Sequence, residues 1–370
     1  MPSQTRERKN DHVEICLKQD VQAKRNMTGF EDIFFVHRAL PEIDRDKIDL
    51  STKLFHHTFL APIIVGAMTG GTSEATKINQ NIAEAVQDLG LGMGVGSQRV
   101  AIEDAKLECS FSETRKKAPT AFLIANIGAP QLVQGWGLDQ AQIAVNMIDA
   151  DALAIHLNPL QEAVQPEGET IYAGALAKIR EITNSLNVPV IAKETGAGIA
   201  AEEAIKLEQA GVKGVDVSGA GGTSWAAVEY YRAKAAMDEK GERLGQTLWD
   251  WGIPTAVSVF EVSNSISIPI IASGGIRTGL DVAKSLALGA SLVSISAPVL
   301  KPASKSANQV KKTLELIIEE LKNVMFLTGS DNLRILRKVP LVVTGKTAQW
   351  LLMRGYRPET LARQGSKTRQ

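Results

Sequence analysis

The sequence predicts an α/β chain built as one (β/α)8 TIM barrel, and three observations predict it. Short, nearly continuous apolar runs recur between residues 60 and 299, eight in all. Each ends in glycine or polar residues, and a stretch of helical periodicity follows. Continuous apolar strands suit a parallel sheet covered on both faces, and eight strand–helix units in about 240 residues are what a closed barrel needs. A doubly wound open sheet is the structural rival.

Residues 1–59 precede the first run as a mixed, partly polar N-terminal extension carrying a basic cluster, Arg6, Arg8 and Lys9. The runs read LAPIIVGAMTGG (60–71), LGLGMGVGS (89–97), TAFLIANIG (120–128) and ADALAIHLN (150–158). VPVIAKETG (188–196), GVKGVDVSGAGG (211–222), IPIIASGGIRTG (268–279) and ASLVSISAPV (290–299) complete the eight. TSEATKINQNIAEAVQDLG (72–90) and AEEAIKLEQAG (201–211) have helical spacing, with Gly211 where a C-terminal cap belongs. In the fourth run Ala152, Ala154, His156 and Asn158 share one face, and Leu153, Ile155 and Leu157 the other. The apolar trio suits the helix-facing side, so His156 and Asn158 point into the barrel mouth.

Residues 224–253 interrupt the unit after the sixth run. They hold Trp225, Trp249 and Trp251, three of the five tryptophans, with Tyr230 and Tyr231. Aromatics in a charged segment at that end read as a lid over an apolar ligand, with a static packing arm as the alternative. The tail from 303, including PLVVTGKTAQWLLMRG (340–355), reads as helical, and its last dozen residues as frayed. The layout is an extension, 1–59, that contributes to the site, and a barrel with C-terminal helices, 60–370, forming a single domain overall.

Lysines and arginines equal aspartates and glutamates at 41 each. That balance argues against nucleic acid or an anionic membrane as the main partner, while local basic clusters can still hold an anionic substrate. The start, MPSQTRERKNDH, has no apolar signal core, and no run of eighteen apolar residues spans a membrane. Cys16 and Cys109 lie far apart without CxxC spacing, which fits a reducing cytoplasm and excludes a disulfide framework.

Barrel chemistry gathers at the C-terminal ends of the strands. Those ends carry Met68–Thr69, Gly96–Ser97–Gln98–Arg99, Asn126, His156–Asn158, Lys193–Glu194, Ser218, Gly275–Ile276–Arg277 and Ser296–Ala297. Consecutive glycines after the seventh run let backbone N–H groups approach an anion, and the next helix would point its positive end at it. Gln161 and Glu162 follow His156 and Asn158 on one loop, HLNPLQE. Glu162 alone is a poor cage, yet it suffices for Mg2+ that takes its other ligands from diphosphate oxygens and water. Lys193 closes an apolar strand and so needs an anionic or electron-rich partner, either a cofactor or a structural carboxylate.

RKNDH (8–12), GAMTGG (66–71), GSQR (96–99), HLNPLQE (156–162), GGTSW (221–225), ASGGIRTG (272–279) and SAP (296–298) resemble the type 2 isopentenyl-diphosphate delta-isomerases over nearly the whole chain. GGIRTGLDVAKSLALGA is similar to the phosphate-binding unit of FMN oxidoreductases and inosine monophosphate dehydrogenase. The resemblance implies an enzyme requiring Mg2+ and reduced FMN, with NADPH as reductant and no net redox, assembled as a tetramer or octamer. It implies that Ala67, Met68, Thr69, Ser97, Asn126, Lys193, Ser218, Thr223, Gly275, Ile276, Arg277, Ser296 and Ala297 hold FMN. Arg8, Lys9, Ser97, Gln98, Arg99, His156, Asn158 and Gln161 would hold a prenyl diphosphate, and Glu162 the Mg2+. His156, Asn158, Gln161 and Lys193 are the side chains placed to take part in the chemistry. An FMN-dependent 2-hydroxy acid oxidoreductase is the alternative; that family needs a histidine after the sixth strand, whereas all five histidines here precede residue 157.

Overall fold

The computed structural model describes residues 2–364, with side chains from residue 8 onward. Eight parallel strands close into a barrel: β1 (Ile63–Val65), β2 (Gly92–Gly94), β3 (Phe122–Gly128), β4 (Ala152–Leu157), β5 (Val190–Glu194), β6 (Gly214–Asp216), β7 (Ile270–Ala272) and β8 (Leu292–Ile295). They follow one another in chain order around the ring, and β8 pairs with β1, Ser294 beside Ile64. This is the predicted (β/α)8 barrel, not the open sheet. Closure explains the continuous apolar runs, because a barrel strand buries one face inward and the other under helices.

The alternation in β4 sorts residues between two cores. Ala152 and Ala154 join Ile64, Phe122, Ile124, Ile191, Ile271 and Leu292 inside the barrel, while Leu153 and Ile155 join the layer beneath the helices. A hairpin, Thr52–Leu54 with His57–Phe59, seals the barrel's floor. Its Phe59 packs edge-on against Phe122 at 5.3 Å, and Phe55 stacks on the same ring at 6.0 Å.

Chain order gives the helices that matter to the site: α1 (Pro2–Lys18), α2 (Ser73–Leu89), α3 (Pro159–Val164), α4 (Ala201–Gln209), α5 (Trp225–Ala235), α6 (Glu239–Thr247), α7 (Gly279–Ala287), α8 (Ala297–Ala303) and α9 (Ala307–Leu327). Thr72 caps α2, its hydroxyl accepting from the Ala75 N–H at 3.2 Å. Gly211 follows α4 at φ +91°, a left-handed position that favours glycine.

The 224–253 insertion, read as a lid or a static packing arm, folds as α5 and α6, with Trp249 buried against Val21, Ala227 and Val228. Two expectations from the sequence are corrected. The tail is not purely helical, since Leu341–Val343 pairs antiparallel with Ile33–Phe35. Three β-prone aliphatics ahead of Thr344–Gly345 favour that strand. Residues Pro358–Arg363 form a 3-10 turn that buries Leu361; the remainder of the segment read as frayed, 365–370, lies outside the described residues. Among the described residues no helix is long and apolar enough to cross a membrane.

Candidate active site

A cavity of about 370 Å³ opens at the C-terminal end of the barrel. Its floor is set by the turn after β7, where Gly274 and Gly275 take φ of +98° and +69°. A Cβ on Gly274 would collide with the Gly219 backbone, and one on Gly275 with Thr28 and Gly221. Glycine is therefore demanded by both conformation and space. Among the described residues, nothing accepts the backbone N–H groups of Gly275, Ile276 and Ala297. Orphan donors converging on a cavity form a ready anion cradle. Asp281 accepts from the Arg277 and Thr278 N–H groups at 3.0 Å each, and Glu320 from the Gly279 N–H at 2.6 Å. The donors at the entry to α7 are thus taken up within the protein.

Ala67, Met68, Thr69, Ser97, Asn126, Lys193, Ser218, Thr223, Gly275, Ile276, Arg277, Ser296 and Ala297 all line this one cavity. Arg277 is held by the Gln22 side chain at 2.7 Å. Lys193 donates to the Glu194 carbonyl at 2.5 Å and lies 3.9 Å from Asp216, which also accepts from the Ser273 hydroxyl. Burial pushes the Asp216 carboxyl upward, against the pull of Lys193. Asp216 was missed because β6 reads as an ordinary apolar strand. A cradle for phosphate, a lysine facing the cavity and small residues around it fit a flavin mononucleotide.

Across the mouth, the polar residues of β4 meet those of β3. His156 Nδ1 lies 2.8 Å from Asn126 Oδ1. Burial, then Lys193, Lys9 and Arg8, lowers the His156 pKa to about 3, so the ring is neutral. Asn158 donates to Glu162 at 2.7 Å and accepts from the Tyr172 hydroxyl at 2.9 Å. Glu162 is buried, not a solvated loop carboxylate. Its Oε2 accepts from Gln165 at 2.6 Å and from the Glu169 N–H at 2.8 Å. Burial raises its pKa, a tension that a cation beside it would relieve. Oε1 takes only Asn158, so one lone pair remains to meet such a cation. Gln161 lines the cavity beside them.

The basic cluster proves to be part of a helix laid over the opening. Arg8, Lys9, His12, Val13, Cys16 and Leu17 of α1 all line the cavity. Their spacing, pairs repeated every four residues, marks one helical face and was legible in RKNDHVEICL. Lys9 donates to the Ser97 carbonyl at 2.7 Å, and burial followed by the Arg8 charge lowers its pKa to about 7. His12 Nε2 sits 2.9 Å from Glu229, and its ring meets Trp225 edge-on at 5.0 Å. Glu229 also takes Arg232 at 2.7 Å, so the 224–253 hairpin is the seat of α1.

Ser97 and Arg99 line the cavity, but Gln98 does not. Its amide is fully buried, donating to the Ala144 carbonyl at 2.8 Å and accepting from the Asn126 N–H at 2.8 Å. Gln98 braces β2 against β3, and its side chain is placed as a support beneath the cavity wall. Arg99 bridges Glu103 at 2.8 Å and Glu169 at 2.9 Å.

Barrel, cradle and strand-end polar groups together define an enzyme of the FMN-binding barrel class. The model of the family described as FMN-dependent dehydrogenase matches residues 3–134 and 113–341. An isopentenyl-diphosphate delta-isomerase of Pyrococcus furiosus is 52% identical over 94% of this chain and 89% of its own. One from Methanosarcina barkeri is 49% identical over 96% and 97%, and one from Methanosarcina mazei 47% over 99% and 100%. The chain belongs to the isopentenyl-diphosphate delta-isomerase family. Solved structures of a lactate oxidase from Pediococcus acidilactici (TM-score 0.64, 19% identity, covering 93% of each chain) and of a mandelate oxidase variant (0.63, 19%, covering 93% and 98%) share its fold.

Proposed function

We propose that this chain interconverts isopentenyl and dimethylallyl diphosphate, with reduced FMN in the cradle, Mg2+ on the diphosphate and NADPH as the reductant that primes the flavin. The observation that carries the reading is a single cleft lined by two chemically opposite sets of side chains. Arg8, Lys9, Arg99 and Glu162 line it as charged groups, and Val13, Cys16, Leu17 and Trp225 line it as an apolar set. A prenyl diphosphate has a half to match each set.

Moving the double bond requires a proton added at one alkene carbon and another removed two carbons away, through a tertiary carbocation. When bound, reduced FMN supplies an electron-rich ring face and an exchangeable proton at N5. Arg8 and Lys9 would hold the diphosphate from α1, and Glu162, oriented by Asn158, would hold Mg2+. Neutral His156 presents Nε2 as an acceptor, and a dianionic group beside it would draw a proton on to that nitrogen. Lys193, with Asp216 3.9 Å away, would face the flavin from the cavity wall. Gln161 assists proton movement only weakly, since an amide is a feeble acid and base. The α1 face keeps water off the cation.

The extension 1–59 thus completes the site of the 60–370 barrel. The two free thiols, Cys16 and Cys109, fit a reducing cytoplasm, and the family resemblance supports a tetramer or octamer. The test is conversion of isopentenyl diphosphate with FMN, Mg2+ and reductant each omitted in turn. Reductant should be needed only for priming. Stoichiometric NADPH consumption would overturn this reading in favour of the FMN-dependent 2-hydroxy acid oxidoreductase.

A further inference from the structure

We infer that Glu169 is the positioning residue for the diphosphate-binding groups of the cleft, an inference that rests on the isomerase reading above. Glu169 lies on the loop after α3 and does not itself line the cavity. Three residues that do line it are nonetheless tied to this one side chain and its backbone. Its Oε1 accepts from Arg99 Nη1 at 2.9 Å, and its Oε2 from the Gln131 amide at 2.5 Å. Its own N–H donates to Glu162 Oε2 at 2.8 Å. One residue thereby sets an anion-binding guanidinium, a neighbouring amide and the metal carboxylate relative to one another.

The geometry favours positioning over competition with substrate. Glu103 takes Arg99 Nε at 2.8 Å and Glu169 takes Nη1, while among the described residues Nη2 has no partner. The planar fork is gripped on two sides, at Nε and at Nη1, and Nη2 between them is left for an anion. The grip on Glu162 works similarly. Two donors on Oε2 leave Oε1 with Asn158 alone, so the free lone pair is directed rather than averaged. An independent feature locks the loop in place. A Cβ on Gly168 would run into the Glu162 carbonyl, so the loop can seat against α3 only with glycine there.

The test compares Glu169→Gln and Gly168→Ala with the wild-type FMN-loaded protein. Inorganic diphosphate is titrated calorimetrically with and without Mg2+, alongside flavin content, thermal midpoint and steady-state KM and kcat for isopentenyl diphosphate. Residues that orient metal and ligand groups from behind typically matter by about ten- to a hundredfold. Both variants should weaken Mg2+-dependent diphosphate binding by that factor, with KM rising in step, kcat falling less and flavin content unchanged; the midpoint should hold in Glu169→Gln and fall in Gly168→Ala, whose Cβ meets the Glu162 carbonyl. Unchanged diphosphate binding overturns the inference. Tighter binding overturns it too, because Glu169 would then be competing for Arg99. Loss of flavin with a lowered midpoint in Glu169→Gln would make Glu169 merely structural. A wild-type protein that binds diphosphate but leaves isopentenyl diphosphate unconverted sinks the isomerase reading instead, and the titration still decides Glu169.

Discussion

His156 Nδ1 and Asn126 Oδ1 lie 2.8 Å apart, and this contact fixes which ring nitrogen faces the cleft. The Asn126 amide nitrogen donates to the Val95 carbonyl at 3.0 Å, which leaves its oxygen to accept from His156. Nδ1 therefore carries the proton and Nε2 is free.

That neutral ring predicts an acid-limb effect. Its folded pKa of about 3 lies below the ordinary histidine value, so between the two the unfolded chain binds a proton that the native protein refuses. The contribution of His156 to stability is present above about pH 6.5 and is lost as pH falls through that window. Denaturant midpoints should fall less for His156→Gln than for wild type between about pH 7 and pH 4. Equal falls would mean that His156 is protonated in the fold.

Lys9 predicts the opposite limb. With its folded pKa at about 7, the free protein loses this charge as pH rises past neutrality. Inorganic diphosphate should then draw a proton back on to Lys9. Calorimetry near pH 8, repeated in buffers of different ionisation enthalpy, should show proton uptake in wild type that Lys9→Gln lacks. Identical uptake in both would remove Lys9 from the anion site.

Glu162→Gln should raise the Mg2+ concentration needed for half-maximal activity by about ten- to a hundredfold while FMN stays bound. The substitution keeps the shape of the side chain and removes the charge. Unaltered Mg2+ dependence would take Glu162 out of the metal site.

Gly275→Ala should purify with little flavin, read from the ratio of flavin to protein absorbance. At φ +69° a Cβ costs about 1–2 kcal/mol, and this one also meets Thr28. A fully loaded variant would show that the turn is not part of the cradle.

The 224–253 hairpin should exchange amide hydrogens slowly with or without substrate. Trp249 is buried and its indole donates to the Gln22 carbonyl at 2.9 Å; Ser224 donates to the Trp249 carbonyl at 2.6 Å. Such a packed seat opens rarely. Protection gained only on adding isopentenyl diphosphate to the reduced enzyme would mark it as a lid.

Much of the fold was written locally. The eight apolar runs become eight strands because each barrel strand is buried on both faces, a demand that any short stretch must meet by itself. Strand-end residues such as His156, Lys193 and Ser296 reach the cavity for the same reason, since direction along a parallel barrel decides where they point. The contacts that finish the site are not local. His12 meets Glu229 across 217 positions of chain, and no periodicity in either segment encodes that distance. Gln98 sits between two cavity residues yet turns its amide away, because satisfying the Ala144 carbonyl in a dry interior outweighs any reach toward the cleft. Asp216, Glu169 and the internally capped α7 follow the same rule. The sequence by itself determined the barrel and the ring of polar residues at its mouth; packing decided which of them face the ligand, because only close packing settles which buried polar groups must find a partner within the protein.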